Sequence, residues 1–200
     1  MMNGRSNIVA DLVAAGVSVQ DIWDVVNSPK QYPEAIPVLM RWLENLEEWS
    51  EPPEREKLEE AIVRSLTVPA ARKVAAPLLI RRFRETPYTE TNRWVIGNAL
   101  GVVADPSSWE EIARLIIDPT YGTARQMIVY GLGKWKNPRV VPVLIRLLDD
   151  PDVSGHAAHA LGLLRAKEAQ RKLIELASRG SPFQRREARA ALRRVSSAEG

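Results

Sequence analysis

Apolar residues recur along the chain in short stripes at helical spacing. Val38, Leu39, Trp42 and Leu43 stand at i, i+1, i+4 and i+5, one face of an α-helix. The stripe returns in register. Ile36-Pro37-Val38-Leu39-Met40-Arg41, Ala76-Pro77-Leu78-Leu79-Ile80-Arg81 and Val141-Pro142-Val143-Leu144-Ile145-Arg146 share proline, aliphatics and a closing arginine. Weaker copies are Glu111-Ile112-Ala113-Arg114-Leu115 and Lys172-Leu173-Ile174-Glu175-Leu176. Anchored at Pro37, Pro77, Glu110, Pro142 and Arg171, the steps are 40, 33, 32 and 29 residues. A second motif follows each first one and ends on Leu66, Leu100, Leu132, Leu161 and Leu192, with steps of 34, 32, 29 and 31. Two interleaved motifs with a period near 30 predict a two-helix unit repeated about five times. No strand-like alternation bounded by hairpin turns occurs. The expected fold class is all-α: a right-handed α–α superhelix of about five helix pairs.

The proline of each first helix suits an opening turn, where a missing N–H costs least. Pro37 and Pro142 sit slightly deep, so a small kink is expected there. Asp118-Pro119 and Asp150-Pro151 punctuate two of the units. Gly97, Gly131, Ala157, Ala158 and Ala160 are small, which predicts close packing of neighbouring second helices. Each pair alone has too little core, so the stack must bury a continuous one. Residues 1–31 fall outside the repeat. They predict a helix from Asn7 to Gly16 and a second capped by Ser18 and ending at Asn27, with Ile22, Trp23, Val25 and Val26 inward. The expected organisation is a helical cap over 1–31 and a repeat array over 32–200, continuous with it in a single domain.

The pattern Asp-Pro, then Arg, then Ala-x-x-Ala-Leu-Gly resembles the HEAT repeat, nearest the short form of the phycobilisome-lyase type. The resemblance covers roughly residues 32–195 and is most specific over 138–165. It implies a HEAT- or armadillo-like solenoid. It also implies an arginine seven residues before the second-helix leucine, bonded to turn aspartates in a ladder between repeats. Arg93, Arg125 and Arg185 match that place, whereas Glu59 and Ser154 do not. Asp118 is the expected partner of Arg125, with Asp149 or Asp150 reaching Arg125 or Arg185 as the alternative. HEAT arrays host unrelated tasks, so the resemblance speaks first to fold.

Composition narrows the classes. Two hundred residues, 45% apolar and 26% charged, suit a globular chain with a real core. No run of about 18 apolar residues is present to span a membrane. Near the start, Asp11 breaks the run Ile8-Val9-Ala10, too short for a signal-peptide core, so the expected location is cytoplasmic. Without cysteine there is no disulfide, thiol nucleophile or zinc ribbon. The net charge of +3 hides polarity: −7 over residues 1–60, +5 over 61–100, −1 over 101–164 and +6 over 165–200. Opposite signs at the two ends suit a partner with its own charge pattern, or a solvated surface. The basic last helix, with Arg185, Arg186, Arg189, Arg193 and Arg194, reads equally as a polar terminal cap.

Catalytic chemistry finds little support. His156 and His159, the only histidines, share a helix face, but a metal site needs further ligands. Gly131-Leu132-Gly133 belongs to the repeat, not to a phosphate loop. The adjacent pairs Glu110-Glu111 and Asp149-Asp150 point apart, as capping groups do. No catalytic residue, cofactor or metal is expected. In HEAT-like stacks the second helices line the concave face, and the positions six and two before the leucine point into it. Read across the repeats, these are Glu60, Trp94, Gln126, Gly155 and Arg186, then Arg64, Asn98, Tyr130, His159 and Ala190, with Lys134 extending the row. Arg64, Trp94, Asn98, Gln126, Tyr130, Lys134, His159 and Arg186 are therefore the candidate partner-binding residues. Trp, Tyr and Arg are the types enriched at binding hot spots, although Trp94 and Tyr130 could instead turn sideways to fill gaps between repeats. The expected function is a non-catalytic scaffold or adaptor for a protein or peptide, in a monomer or weak homo-oligomer. The alternative is a nucleic-acid binder resembling alkylbase DNA glycosylases, using Arg64, Arg93, Arg125, Lys134, Arg185, Arg186 and Arg189. The acidic first 60 residues argue against a continuous phosphate track.

Overall fold

The computed structural model describes residues 4–28, 30–85 and 90–196; the opening Met1, Met2 and Asn3 and the final 197–200 lie outside the described residues. Backbone contacts divide the chain into two compact units, residues 1–104 and 105–200. Among the described residues every regular element is helical, and no helix is long and apolar enough to cross a membrane.

The first unit holds α1 (Gly4–Ala14), α2 (Ile22–Asn27), α3 (Ala35–Glu44), the single turn α4 (Leu46–Trp49), α5 (Glu54–Ser65), α6 (Arg72–Glu85) and α7 (Glu90–Val103). The pairs α3/α5 and α6/α7 are the first two repeats, each carrying the two motifs on the helices expected. Stripe residues Leu39, Trp42, Leu43, Leu79 and Phe83 are buried, as are the anchors Leu66 and Leu100. Burying each such side chain stabilises by about 1.5–3 kcal/mol. The cap behaves as a further pair: α1 packs on α3 and α2 on α5. Asp11 of α1 fixes it, accepting from Trp42 Nε1 at 2.8 Å and from Arg41 Nη2 at 2.7 Å. Gly16 ends α1 with φ +92°, and Val17 N–H then bonds back to Leu12 O at 2.9 Å.

Two local expectations are corrected. Asp21, not Ser18, caps α2: its carboxylate accepts from Trp23 N–H, and Asp24 returns a bond to the Asp21 N–H, a complete capping box. Pro77 lies inside α6 rather than in its first turn. A tight turn at Pro69–Ala71 takes the role of helix start and lets α6 begin at Arg72.

The second unit holds α8 (Trp109–Ile117), α9 (Gln126–Gly131), α10 (Val140–Leu147), α11 (Ser154–Leu163), α12 (Gln170–Arg179) and α13 (Pro182–Ser196). These are three more repeats, α8/α9, α10/α11 and α12/α13. The fold is thus an all-α helical solenoid built from stacked helix pairs. Small residues set the stacking distance. A Cβ on Gly133 would lie 2.9 Å from Ala160 Cα, and one on Gly162 would lie 2.7 Å from Ala191 Cα. The glycine just after one leucine thus receives the alanine just before the next.

At the position seven before the leucine the expected arginine–aspartate link between repeats forms once, at Arg125, with Asp150 rather than Asp118 as its partner. The three arginines there share one job: Arg93 bonds Phe83 O, Arg125 bonds Ile116 O and Arg185 bonds Gly180 O, each holding a carbonyl at the end of its own repeat's first helix. Arg125, fully buried, also bonds Asp150 of the next repeat at 2.7 Å. Asp118 is not its hydrogen-bond partner; it accepts from Thr120 N–H and Oγ1 instead. Those bonds, foremost the hydroxyl's, hold the Asp118 carboxyl below the usual carboxylate range. Glu59 inverts the link. It is buried, and Arg82 of the following repeat reaches it with Nε at 3.0 Å and Nη2 at 2.8 Å. Ser154, also buried, accepts from Gln184 of the following repeat at 2.8 Å.

Candidate partner-binding face

The eight candidate residues fall on second helices of both units, or just beyond one. In the first unit Arg64 lies on α5, with Trp94 and Asn98 on the adjacent α7. A spacing of four places Glu60 with Arg64, and Trp94 with Asn98, on one helix face each. Arg64 Nε donates to Glu60 Oε1 at 2.8 Å, which holds the guanidinium in place while leaving it partly exposed. Asn98 is half-buried, and Trp94 is 37% exposed.

In the second unit the residues join hands across three successive second helices. The Tyr130 ring on α9 stacks on His159 of α11, centroids 4.2 Å apart and planes 19° apart. His159 Nδ1 lies 3.0 Å from Glu187 Oε2 on α13, and Arg186 Nε donates to Glu187 Oε1 at 3.0 Å. The Arg186 guanidinium stands 5.2 Å over the Phe183 ring, whose other neighbour is His156 at 5.2 Å. Gly155 makes room for that ring: a Cβ there would lie 2.4 Å from Phe183 Cε1. Gln126 departs from the row, because its amide donates to Asp152 O of the next repeat at 2.9 Å. Lys134 is exposed, in the short turn after α9.

Glu187 and Phe183 were not among the expected residues. Neither occupies the positions six or two before the leucine. Their roles come from contacts between neighbouring helices, which a within-helix rule does not see. The histidines also part company: His159 faces Tyr130 and Glu187, while His156 packs on Phe183. Among the described residues no group of three His, Asp or Glu is placed to hold a metal.

Electrostatics within the row follow burial and bonding. Burial alone would raise the Glu187 carboxyl; the hydrogen bonds from His159 and Arg186 outweigh it and hold it below the usual range. Burial pushes the His156 imidazole down, an effect that nearby His159 reinforces and Glu187 opposes. A histidine whose folded pKa is depressed favours the folded state while neutral. Its contribution is complete above the ordinary value of 6.5 and is lost as pH falls from there through the folded value. The melting temperature is therefore expected to fall as pH drops below that point. His156→Gln should flatten that slope, which thermal melts across a pH series would read directly.

The family model of HEAT repeats matches residues 110–193, a span that holds the helix pairs of the second unit. No curated protein matches the chain. The match and the stacked pairs of both units together support a HEAT-repeat protein.

Proposed function

We propose that the chain is a non-catalytic, cytoplasmic scaffold or adaptor that holds a protein or peptide on its second-helix face. Its repeats are of the short, phycobilisome-lyase-like kind, and it works as a monomer or weak homo-oligomer. HEAT repeats are commonly protein-interaction scaffolds, which supports the general reading. The observation that carries it is the row Tyr130–His159–Glu187–Arg186. Three consecutive second helices present stacked rings and a bonded carboxylate, side by side and partly open to solvent. Preorganised aromatic and arginine side chains lose little entropy when a partner covers them. Arg64, Trp94 and Asn98 offer a second patch in the first unit.

The nucleic-acid alternative loses three of its seven cations to internal work: Arg93 and Arg185 bond helix-end carbonyls, and Arg125 is buried. Alkylbase glycosylases pair a Trp with an Asp on a basic face; here Asp105, the aspartate nearest Trp94 in sequence, caps the next turn by accepting from Ser107 N–H at 2.8 Å. Affinity capture from the source cell tests the proposal. Proteins retained by the wild type should be lost with Tyr130→Ala or Arg64→Glu, by about 30-fold for a true hot spot, with helical content unchanged. Equal retention by both variants would sink it.

A further inference from the structure

The last helix changes the rule by which the second helices stack. In α11 the face that receives the next second helix is made of Gly155, Ala158 and Gly162; Gly155 meets Phe183 and Gly162 meets Ala191. The equivalent positions of α13, counted from Leu192, are Arg186, Arg189 and Arg193. Spaced by three and four residues, they form one stripe about 10 Å long. The stripe lies opposite Ala188, Ala191 and Val195, the buried face of the helix. All three arginines are exposed. Arg186 is partly engaged with Glu187 and Phe183, whereas Arg189 and Arg193 have no ion-pair partner among the described residues. All three side chains of this stripe carry the same sign.

We infer that the Arg186–Arg189–Arg193 stripe of α13 docks an acidic helical segment of a protein partner. The inference rests on the protein-binding reading above and adds the chemistry of one partner element. Carboxylates at i, i+3 and i+7 of a helix form a stripe of the same length and opposite sign. Laid along α13, such a helix takes the side on which a further second helix would stack. The chain's own acidic residues are poor competitors, being largely engaged within the first unit. Glu44, Glu47, Glu51, Glu54 and Glu60 pair with Arg81, Arg82, Arg55, Lys57 and Arg64. A phosphate backbone fits less well. It needs cations along its whole path, and here the stripe is confined to eight residues with Glu187 beside it.

Fluorescence anisotropy on the full chain tests this with three labelled probes. The first is an alanine-based helical peptide with glutamates at i, i+3 and i+7. The second has the same composition with its glutamates spread around the helix, and the third is an oligothymidylate. The striped peptide should bind best. Its affinity should fall at least about tenfold with Arg189→Glu/Arg193→Glu, and less with the double glutamine variant. It should also weaken as salt rises from about 50 to about 300 mM. Absence of binding, equal binding of both peptides, or tighter binding of the oligonucleotide would overturn the assignment. So would self-association in sedimentation that the charge-reversed variant abolishes, which would make a second copy the occupant. If the striped peptide fails while Tyr130→Ala still loses captured proteins, this site falls and the scaffold reading stands.

Discussion

Replacing Arg82 by leucine is expected to destabilise the first unit by about 3–5 kcal/mol, far more than a surface arginine would. The cost lies in what the substitution leaves behind. Glu59 is 1% exposed, and two guanidinium nitrogens of Arg82 hold its Oε1. Asn92 Nδ2 supplies the other oxygen at 3.4 Å, a weak contact. Without Arg82 the carboxylate is buried with almost nothing to offset its lost hydration. Glu47, the other partner at 2.6 Å, is half-exposed and would rehydrate cheaply. Burial works against the charge on Arg82, but Glu59 and Glu47 more than compensate and drive its pKa upward. The double variant Arg82→Leu/Glu59→Leu removes both charges at once. It should recover most of the loss, because a buried ion pair is often worth no more than an apolar pair of similar volume. Urea unfolding of the four proteins in the cycle gives the coupling. Additive losses in the double variant would mean that the pair does not act as a unit.

The repeat itself was legible because it rests on local rules. Helical spacing, proline near a helix start and the recurring leucine each need only a few consecutive residues, and they assign α3 and α5 through α13 to the right motifs. The same locality explains the errors. Ser18 and Asp21 both have capping side chains; Asp24, three residues beyond Asp21, was the discriminating signal. Pro77 reads as an opening residue, whereas the tight turn at Pro69–Ala71 already starts the helix five residues before it. The links between repeats were legible only as places. Glu59 and Ser154 stood out as departures from the arginine pattern, yet their partners Arg82 and Gln184 lie 23 and 30 residues away. Which residues meet depends on how far one helix pair advances over the last, and the step varies from 29 to 40 residues. The candidate face shows the same division. Tyr130 and His159 followed from position, being equivalent in successive repeats. Glu187 and Phe183 followed only from the packing of α13 on α11.

The Arg125 link makes a sharper demand than the Arg82 pair, since its charge is matched by carbonyls as well as by a carboxylate. Arg125 is fully buried. Its Nε bonds Gly122 O at 2.9 Å, and its Nη1 bonds Ile116 O at 3.0 Å and Asp150 Oδ2 at 2.7 Å. Its Nη2 stands 3.5 Å from Asp152 Oδ2, an ion-pair distance without a hydrogen bond. One side chain thus ties the end of α8, the turn before α9 and the turn before α11. The turn before α9 is itself unusual, since Gly122 takes φ +48° and aims its carbonyl at Nε. Arg125→Leu should cost the second unit about 3–5 kcal/mol by leaving these acceptors unmatched. Arg125→Lys should rescue little of it, because an ammonium cannot reproduce the fork that reaches several acceptors at once. Asp150→Asn should cost about 1–2 kcal/mol: Arg125 keeps both carbonyls, and Asp150 is not fully buried. Hydrogen exchange read segment by segment should show protection lost first in α8, α9 and α11. A leucine variant that keeps wild-type protection there would show that the link contributes no stability. A lysine variant as stable as the wild type would show that charge alone, and not the guanidinium geometry, joins these repeats.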